Sequence, residues 1–524
     1  MTTAPADSIP TPIPAPAPAP APAPAGLAAL EARLRQDLQW LGLPARRWVP
    51  PRTTEAGEPV LDVAIVGGGM AGLALGASLA HMGVQAPLFD RAPEGFEGPW
   101  ATTARMETLR SPKELTGPAL GLPALTFRAW FESQFGLPAW AALDKIPRLQ
   151  WMEYLRWYRR VLGLDVRNRQ RVLAVHPRAD GLVRIDLAND AQGGAPYHVL
   201  ARHAVLATGR DGLGGPWVPE WARALPRGRW AHSADAWDGA ALRGLRVAVV
   251  GGGASAMDSA ATALEAGAAR VDLLVRRAEL PRVNKGKGAG NPGMAHGFWS
   301  LPDEWKWRFR HYLNVQQVPP PHGSTLRVSR HANAHFHLGA GVRSASVRAD
   351  GALRLETAKG PLAADFVIFC TGFRTDWALR PEFAAFAPAV RLWQDRFVPP
   401  AGEDDAELSA SPDLGPLFEF QEKVPGTCPA LDRVHCFNYG GALSQGAGAG
   451  DIPQISDGAQ RLARGLAARL LADDAALHYA AMQRYEEPEL DGDEWTPAEF
   501  PAYTSEGAAP AATASPESTQ EATR

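Results

Sequence analysis

Cysteine is scarce in this chain. Cys370, Cys428 and Cys436 are the only three among 524 residues, and no two form a C-x-x-C pair. That argues against a disulfide scaffold and a thiolate zinc site, and it points to a reducing, cytoplasmic compartment. An excess of either charge is also missing: 53 Lys and Arg stand against 56 Asp and Glu, a formal net charge of −3. Neither a nucleic-acid partner nor a polybasic membrane contact is expected from such a balance. The acids are unevenly spread, with ten acids and one base from Glu486 onward, so the preceding chain is mildly positive and suits anionic cofactors. The start of the chain lacks the basic and apolar regions of a signal peptide and carries a Pro-Ala alternation from Ile13 to Ala25 instead. Val63 to Ala80 holds no charge over the length of a membrane span, but four glycines interrupt it by Gly72. It divides into strand, turn and helix, and no membrane span is expected.

What is present is an alternation of short β-branched runs, glycine turns and helical patterns. Val63–Val66, Val247–Val250, Val271–Val275 and Phe366–Phe369 read as buried strands. This is the signature of an α/β fold with two Rossmann-like dinucleotide-binding domains. Ahead of them, Leu27, Leu30, Leu34, Leu38 and Leu41 recur at helical spacing until Gly42 and Pro44. That helix packs on the body or on a neighbouring subunit, so a homo-oligomer is compatible with the sequence. From Pro488 the chain is acidic and rich in Ala, Pro, Ser and Thr, a composition expected to be disordered.

Two glycine turns carry the chemistry. In Gly67-Gly68-Gly69-Met70-Ala71-Gly72 the first glycine allows the tight turn, the second lets backbone approach a pyrophosphate, and the third lets helix and strand pack closely. The next strand ends Leu88-Phe89-Asp90-Arg91, where Asp90 can accept both ribose hydroxyls. The second turn, Gly251-Gly252-Gly253-Ala254-Ser255-Ala256, is followed by a strand ending Val275-Arg276-Arg277, with no acid. Arg276 and Arg277 suit a 2′-phosphate, which selects NADPH over NADH. Two such folds suggest hydride transfer from nicotinamide to flavin. Without a redox dithiol, the electrons must pass to a diffusing acceptor such as oxygen, quinone or a substrate.

Several further segments resemble the class B flavin monooxygenases, which include the flavin-containing, Baeyer–Villiger and N-hydroxylating enzymes. Gly98-Pro99-Trp100 resembles the family's Gly-Gly-x-Trp, where the Trp lies by the flavin. Thr108-Leu109-Arg110-Ser111-Pro112-Lys113-Glu114 resembles its Thr-Asn-x-Ser-Lys-Glu stretch, with Arg110 at the flavin-side Asn. Ala207-Thr208-Gly209 resembles the Ala-Thr-Gly at the edge of the FAD domain. Gly228-x-x-x-His232-Ser233 resembles the fingerprint linking the two domains, and Thr371-Gly372-Phe373 the Thr-Gly-Tyr/Phe segment. Pro226 and Ala236 depart from the linking fingerprint, and Trp237 stands one residue beyond its usual aromatic. The resemblance covers roughly residues 60–471 and implies a glutathione-reductase-like layout. Its parts are an arm and short helix over 1–57, FAD-binding segments at 58–239 and 361–487, an inserted NADPH domain at 240–360, and a tail at 488–524.

The activity it implies is insertion of one oxygen atom from O2 into a small organic substrate. NADPH reduces FAD, O2 adds at flavin C4a, and the (hydro)peroxyflavin delivers one atom while NADP+ stays bound. Arg110 and His232 are the expected catalytic residues. Some bacterial proteins of this layout are urate hydroxylases, which points to a polar nitrogen heterocycle. Two other readings stand beside this one. Arg210-Asp211-Gly212 suggests a class A aromatic hydroxylase with one nucleotide fold, and a flavoprotein reductase or redox sensor would not oxygenate at all.

Four features are weighed apart from the motifs. His331, Asn333, His335 and His337 alternate on one face of a strand, as a solvated face, a cofactor wall or a metal set would. Asn284 to Gly293 reads as a mobile loop or an NADPH lid. Trp130, Phe131, Phe135, Trp151, Tyr154, Trp157 and Tyr158 read as core with a share in the flavin pocket. Asp451 reads as the N-cap of a helix with Pro453 in its first turn, a plain capped helix or, as the resemblance implies, one aimed at the flavin pyrimidine.

Overall fold

The computed structural model describes residues 26–501. The Pro-Ala arm through residue 25 and the tail from residue 502 lie outside the described residues. The chain divides into two compact units at Asp474. The smaller holds a helix, Ala475–Gln483, followed by exposed irregular chain.

In the larger unit, Val63, Ala64 and Ile65 have no exposed surface, because their strand runs through the middle of an eight-stranded sheet. Its order is Val166–Arg167, Leu88–Phe89, Pro59–Val66, Ala195–Leu206, Val183–Asn189 and Gln170–Pro177, with Arg52–Thr53 and Val434–His435 paired off this path. The first four strands run parallel, and the last two form an antiparallel meander. Helix Met70–His81 leaves this sheet with every residue from Met70 to Leu79 buried. A helix apolar all round belongs in a core, and each fully buried Leu contributes about 1.5–3 kcal/mol to holding it there. The uncharged run is therefore an interior strand, turn and helix, and no described helix is long and apolar enough to cross a membrane.

The aromatic run builds part of the same core. Trp130, Phe131, Trp151, Tyr154, Trp157 and Tyr158 are buried, whereas Phe135 is exposed. The Tyr154 and Tyr158 hydroxyls donate to the Leu125 and Pro118 carbonyls at 2.6 and 2.7 Å, as buried phenols require. Helix Gly26–Trp40 packs on helix Phe127–Ala142 of its own chain. Glu31 accepts from Arg160 at 2.7 Å and from Trp157 at 3.1 Å.

A second sheet has five parallel strands in the order Ala334–Leu338, Arg270–Val275, Arg246–Val250, Phe366–Phe369 and Trp230–His232. It draws strands from both sides of the expected 240–360 span, because the central Arg246–Val250 needs a parallel neighbour on each edge to be covered. A three-stranded antiparallel sheet, Val342–Val347, Leu353–Thr357 and Gly360–Ala364, follows within the same segment. This second fold removes the reading with a single nucleotide domain. The chain crosses between the two folds twice, and the crossings pair side by side: Gly214–Pro216 runs antiparallel to Phe373–Thr375.

One expectation is corrected. Asn284 to Gly293 is not an open loop but contributes to two short helices, Lys285–Gly288 and Pro292–Gly297. Asn284 accepts from the Gly286 amide and Asn291 from the Met294 amide, both at 3.0 Å. Asparagine caps let glycine-rich sequence begin a helical turn.

Candidate active site

The first glycine turn is shaped by contact on one side and openness on the other. Gly67 takes φ +110°, and a side chain there would overlap the Ala207 carbonyl. A methyl at Gly72 would overlap the Gly67 carbonyl, so only glycine lets the helix start this close to the strand. Gly69 faces space: the nearest atom to a side chain there is Gly98 Cα at 3.9 Å. That places Gly98-Pro99-Trp100 opposite the turn. Helix Met70–His81 begins at Gly69 with no side-chain cap, whereas Thr126, Asn284, Asn291 and Asp405 cap other helices. The Met70 and Ala71 amides are thus left for an anion. Asp90 accepts from the Gly68 amide at 2.7 Å and the Ala92 amide at 2.7 Å. It pins the turn and keeps lone pairs for hydroxyl donors. Arg91 is exposed and makes no hydrogen bond or ion pair among the described residues.

The second turn repeats this with other neighbours. Gly251 takes φ +140°, with the Cys370 carbonyl 2.6 Å from where a side chain would begin. Nothing lies within 4 Å of such a position at Gly253, and helix Ala254–Glu265 also starts without a side-chain cap. Ala254 and Ser255 open that helix, and Ala256, where the first turn has Gly72, is buried. Arg276 is exposed and unpaired among the described residues. Arg277 is not equivalent, since its guanidinium donates to the Val315 carbonyl at 2.8 Å.

Each turn abuts the loop that leaves its neighbouring strand, so Thr208-Gly209 stands by the first and Thr371-Gly372 by the second. Asn438, fully buried, organises the first loop. Its Nδ2 donates to the Leu206 carbonyl at 3.1 Å and to Thr208 Oγ1 at 3.2 Å, and its Oδ1 accepts from the Gly440 amide at 2.9 Å. Thr371 donates to the Trp217 carbonyl, and the Trp217 amide donates to the Gly372 carbonyl at 2.9 Å.

Between the folds lies a contact the sequence did not disclose. Arg105, on the loop after Trp100, donates to the carbonyls of Ser233 and Asp235 at 2.7 Å each and lies 3.7 Å from the Trp237 ring centroid. Burial lowers its pKa to about 10, so it remains charged. The displaced aromatic of the linking motif is therefore the platform for a guanidinium 132 residues away. His232 is buried, and its Nδ1 accepts from the Ala234 amide at 3.1 Å. Nε2 then carries the proton, and the Gly372 carbonyl acts on it without completing a hydrogen bond of ordinary geometry. Burial lowers its pKa, against the opposing influence of Asp235 and the Gly372 carbonyl, and keeps the ring neutral. The ring meets Phe373 edge-on at 5.6 Å. Arg110 makes no hydrogen bond among the described residues. Desolvation lowers its pKa, with Asp258 of the second fold and Arg210 of the first close enough to act on it.

Three expectations separate from this site. Asp451 precedes a 3-10 turn, Ile452–Gln454, and its side chain forms no cap; the α-helix starts later, at Ile455, with Gln454 at its N-cap. The proline that sequence reading put in the helix's first turn belongs to that separate turn. Lys113, in the stretch containing Arg110, caps the end of helix Phe127–Ala142 by donating to the Trp140 carbonyl at 2.9 Å. Of the four alternating residues only His335 and His337 lie in strand Ala334–Leu338, where His337 meets Asp272 at 2.7 Å; His331 and Asn333 precede it, and Asn333 donates to the Ala268 carbonyl at 2.9 Å. These groups serve the sheet edge.

Comparison with known proteins agrees with this architecture. The family model for L-lysine 6-monooxygenase/L-ornithine 5-monooxygenase matches residues 126–317. An ornithine hydroxylase from Pseudomonas aeruginosa has the same fold, with a TM-score of 0.60 at 19% identity over 78% of this chain and 98% of that one. So does an ornithine N-hydroxylase from Kutzneria sp. 744, solved with reduced FAD, NADP+ and L-ornithine, with a TM-score of 0.60 at 18% identity over 78% and 100%. These likenesses establish the fold that the chain shares. Over 470 residues, 89% of this chain and 98% of the relative, the sequence is 42% identical to a FAD-dependent urate hydroxylase of Xanthomonas campestris pv. campestris. The chain belongs to the family of that enzyme.

Proposed function

We propose that the chain uses FAD, NADPH and O2 to hydroxylate a small polar nitrogen heterocycle of the urate type. The carrying observation is the pair of uncapped glycine-turn helices, each opening on unfilled space, in a chain of this family. In the balanced reaction, substrate, O2, NADPH and a proton give hydroxylated substrate, NADP+ and water. When bound, FAD accepts the hydride of NADPH and activates O2.

The chain's own work is binding and orientation. The Met70 and Ala71 amides and the positive end of their helix hold the FAD pyrophosphate, and Asp90 accepts from its ribose. The Ala254 and Ser255 amides hold the NADPH pyrophosphate, and Arg276 meets the 2′-phosphate. Arg105 fastens the flavin-side loop to the linking segment, so the two cofactor positions are set against each other. Neutral His232 presents one N–H beside that junction. Three free thiols suit a reducing cytoplasm.

The test is turnover of urate under 18O2 by the FAD-loaded protein with NADPH. One labelled atom should enter the product and one should leave as water. NADPH consumption that yields hydrogen peroxide and no labelled product would replace this reading with a reductase.

A further inference from the structure

Beside the Thr208-Gly209 loop lies a solvent-open recess, lined in part by Arg210, Asp211, Arg310, Phe373, Glu407 and Tyr439. It sits where the loops of the two folds meet. Arg210 follows Gly209 directly, and Phe373, whose ring touches His232, follows Gly372. The Arg210 guanidinium lies 5.5 Å from the Phe373 ring centroid and 5.0 Å from that of Tyr439. It makes no hydrogen bond or ion pair among the described residues.

Arg310, on helix Asp303–Gln316, is half-buried and also unpaired among them, and its Nε is a buried donor without a partner. Arg374, the remaining arginine of the lining, is already bound to Asp376 at 2.7 Å. The Glu407 carboxyl has no side-chain partner among the described residues either. Burial raises its pKa, and the charges of Arg310 and Arg210 are near enough to oppose that rise.

A half-buried guanidinium without a partner is unfavourable, because part of its hydration is lost and nothing replaces it. Arg310 is such a group, and with the exposed Arg210, the aromatic rings and the Glu407 and Asp211 carboxylates of the same lining it forms a complementary set. The guanidiniums donate in planar forks, the rings offer flat apolar faces, and the carboxylates accept. The matching ligand is flat and negatively charged, carries carbonyl oxygens, and has a ring N–H to donate. A urate-type monoanion has all four properties, whereas a uniformly apolar ring would leave both guanidiniums unpaired.

We propose that this recess is the substrate subsite and that it selects a planar anionic heterocycle. Arg210 and Arg310 bind its oxygens, Glu407 accepts a ring N–H, and Phe373 and Tyr439 flank the ring. The assignment rests on the monooxygenase reading above.

Urate turnover by the FAD-loaded full chain tests it, with flavin content as the check on folding. Arg310→Gln and Arg210→Gln should each raise the urate KM about tenfold to a hundredfold, the usual loss for a charge-assisted bond. The change in kcat should be smaller, and Arg310→Lys should recover part of the loss. Arg343→Gln, which removes the same charge outside the recess, should leave the KM within twofold. Calorimetry with hypoxanthine, uncharged at neutral pH, should show binding that Arg310→Gln does not weaken. KM values for both glutamine variants within twofold of the parent would overturn the subsite. So would equal weakening of urate and hypoxanthine. If the parent forms only peroxide, the monooxygenase reading falls, and calorimetric urate binding judges the recess alone. Weaker binding by Arg310→Gln would then support the anion site, and an unchanged isotherm would overturn it.

Discussion

The two glycine turns share a backbone plan and differ in what surrounds it. Each first glycine presses on a neighbouring carbonyl, of Ala207 in one and Cys370 in the other, and each second glycine faces open space. The third position breaks the likeness. At Gly72 there is no room for a methyl, whereas Ala256 carries one in a buried helix. The strand ends differ in sign as well, with a carboxylate at Asp90 and a cation at Arg276. So the first glycine is a requirement of the turn, the second of the phosphate that approaches it, the third is set by helix-to-strand distance, and the strand-end charge by the nucleotide.

The sharpest way to break this comparison is at the third position. Gly72→Ala should lower unfolding stability by about 3 kcal/mol or more, since backbone stands in the way. Ala256→Gly should cost about 1 kcal/mol, mostly helix propensity. Denaturant titration of both variants decides it, and similar losses would mean that the two helices sit equally close.

The second position should separate cofactors while sparing the fold. Gly69→Val is expected to purify folded and without FAD. Gly253→Val should keep FAD and raise the NADPH KM about a hundredfold, because several amide bonds to phosphate are blocked. Absorbance of the purified protein and steady-state kinetics report both. A yellow Gly69→Val protein would remove the flavin assignment.

At the strand end, Arg276→Ala should raise the NADPH KM about tenfold to a hundredfold and leave that for NADH nearly unchanged. Arg277→Ala should do less, because that side chain is held by the Val315 carbonyl. Equal effects would show that Arg277 swings to the phosphate.

Acid should distinguish the folds most gently. In the first, Arg433 donates to His203 Nε2 at 3.2 Å, His203 Nδ1 to His435 Nε2 at 3.1 Å, and His435 Nδ1 to the Leu417 carbonyl at 2.8 Å. Burial drives both pKa values down, His435's to about 3, and the charges of Arg433 and Arg469 add to this. The unfolded chain protonates these histidines below about pH 6.5 and the folded one resists. Their stabilisation is full above that pH and falls as pH drops toward 3, by up to about 1.4 kcal/mol per pH unit for each. The second fold has one such group, His232, lowered by burial, against the pair in the first. At Asp272 burial raises the pKa, but bonds from Arg270 and His337 outweigh this and hold it below the ordinary range. Its contribution survives until the pH falls below about 4. Hydrogen exchange at about pH 7 and pH 5 should show the larger sheet loosening first, and uniform loosening would contradict this.

Much of the fold was legible in the sequence because its signals are local. A β-branched run, a glycine turn and an apolar helix lie within 18 residues at Val63–Ala80, and the turns needed no distant partner to be seen. Features built from separated segments were not legible. Arg105 reads as one arginine among many until residues 233–237 come beneath it. Asn438 carries no local sign of the two loops that its amide ties together. Trp230–His232 fell outside the expected second-fold span because three residues have no periodicity of their own, and Phe366–Phe369, legible as a buried strand, carries no local sign of which sheet it joins. Asp451 and the Asn284 segment misled for a related reason: Pro and Gly mark turns without fixing whether they are helical.

The paired crossings at Gly214–Pro216 and Phe373–Thr375 give the chain a modular character. Adjacent residues of an antiparallel pair lie only about 5 Å apart, so the segment between these strands leaves and rejoins the first fold at nearly one point. Such a segment is a cassette. A relative's nucleotide-binding portion, spliced between Gly215 and Arg374, would meet both ends of the host without stretching either. The electron donor could then be exchanged by transplantation, provided that the graft supplies carbonyls and an aromatic platform for Arg105 to grip.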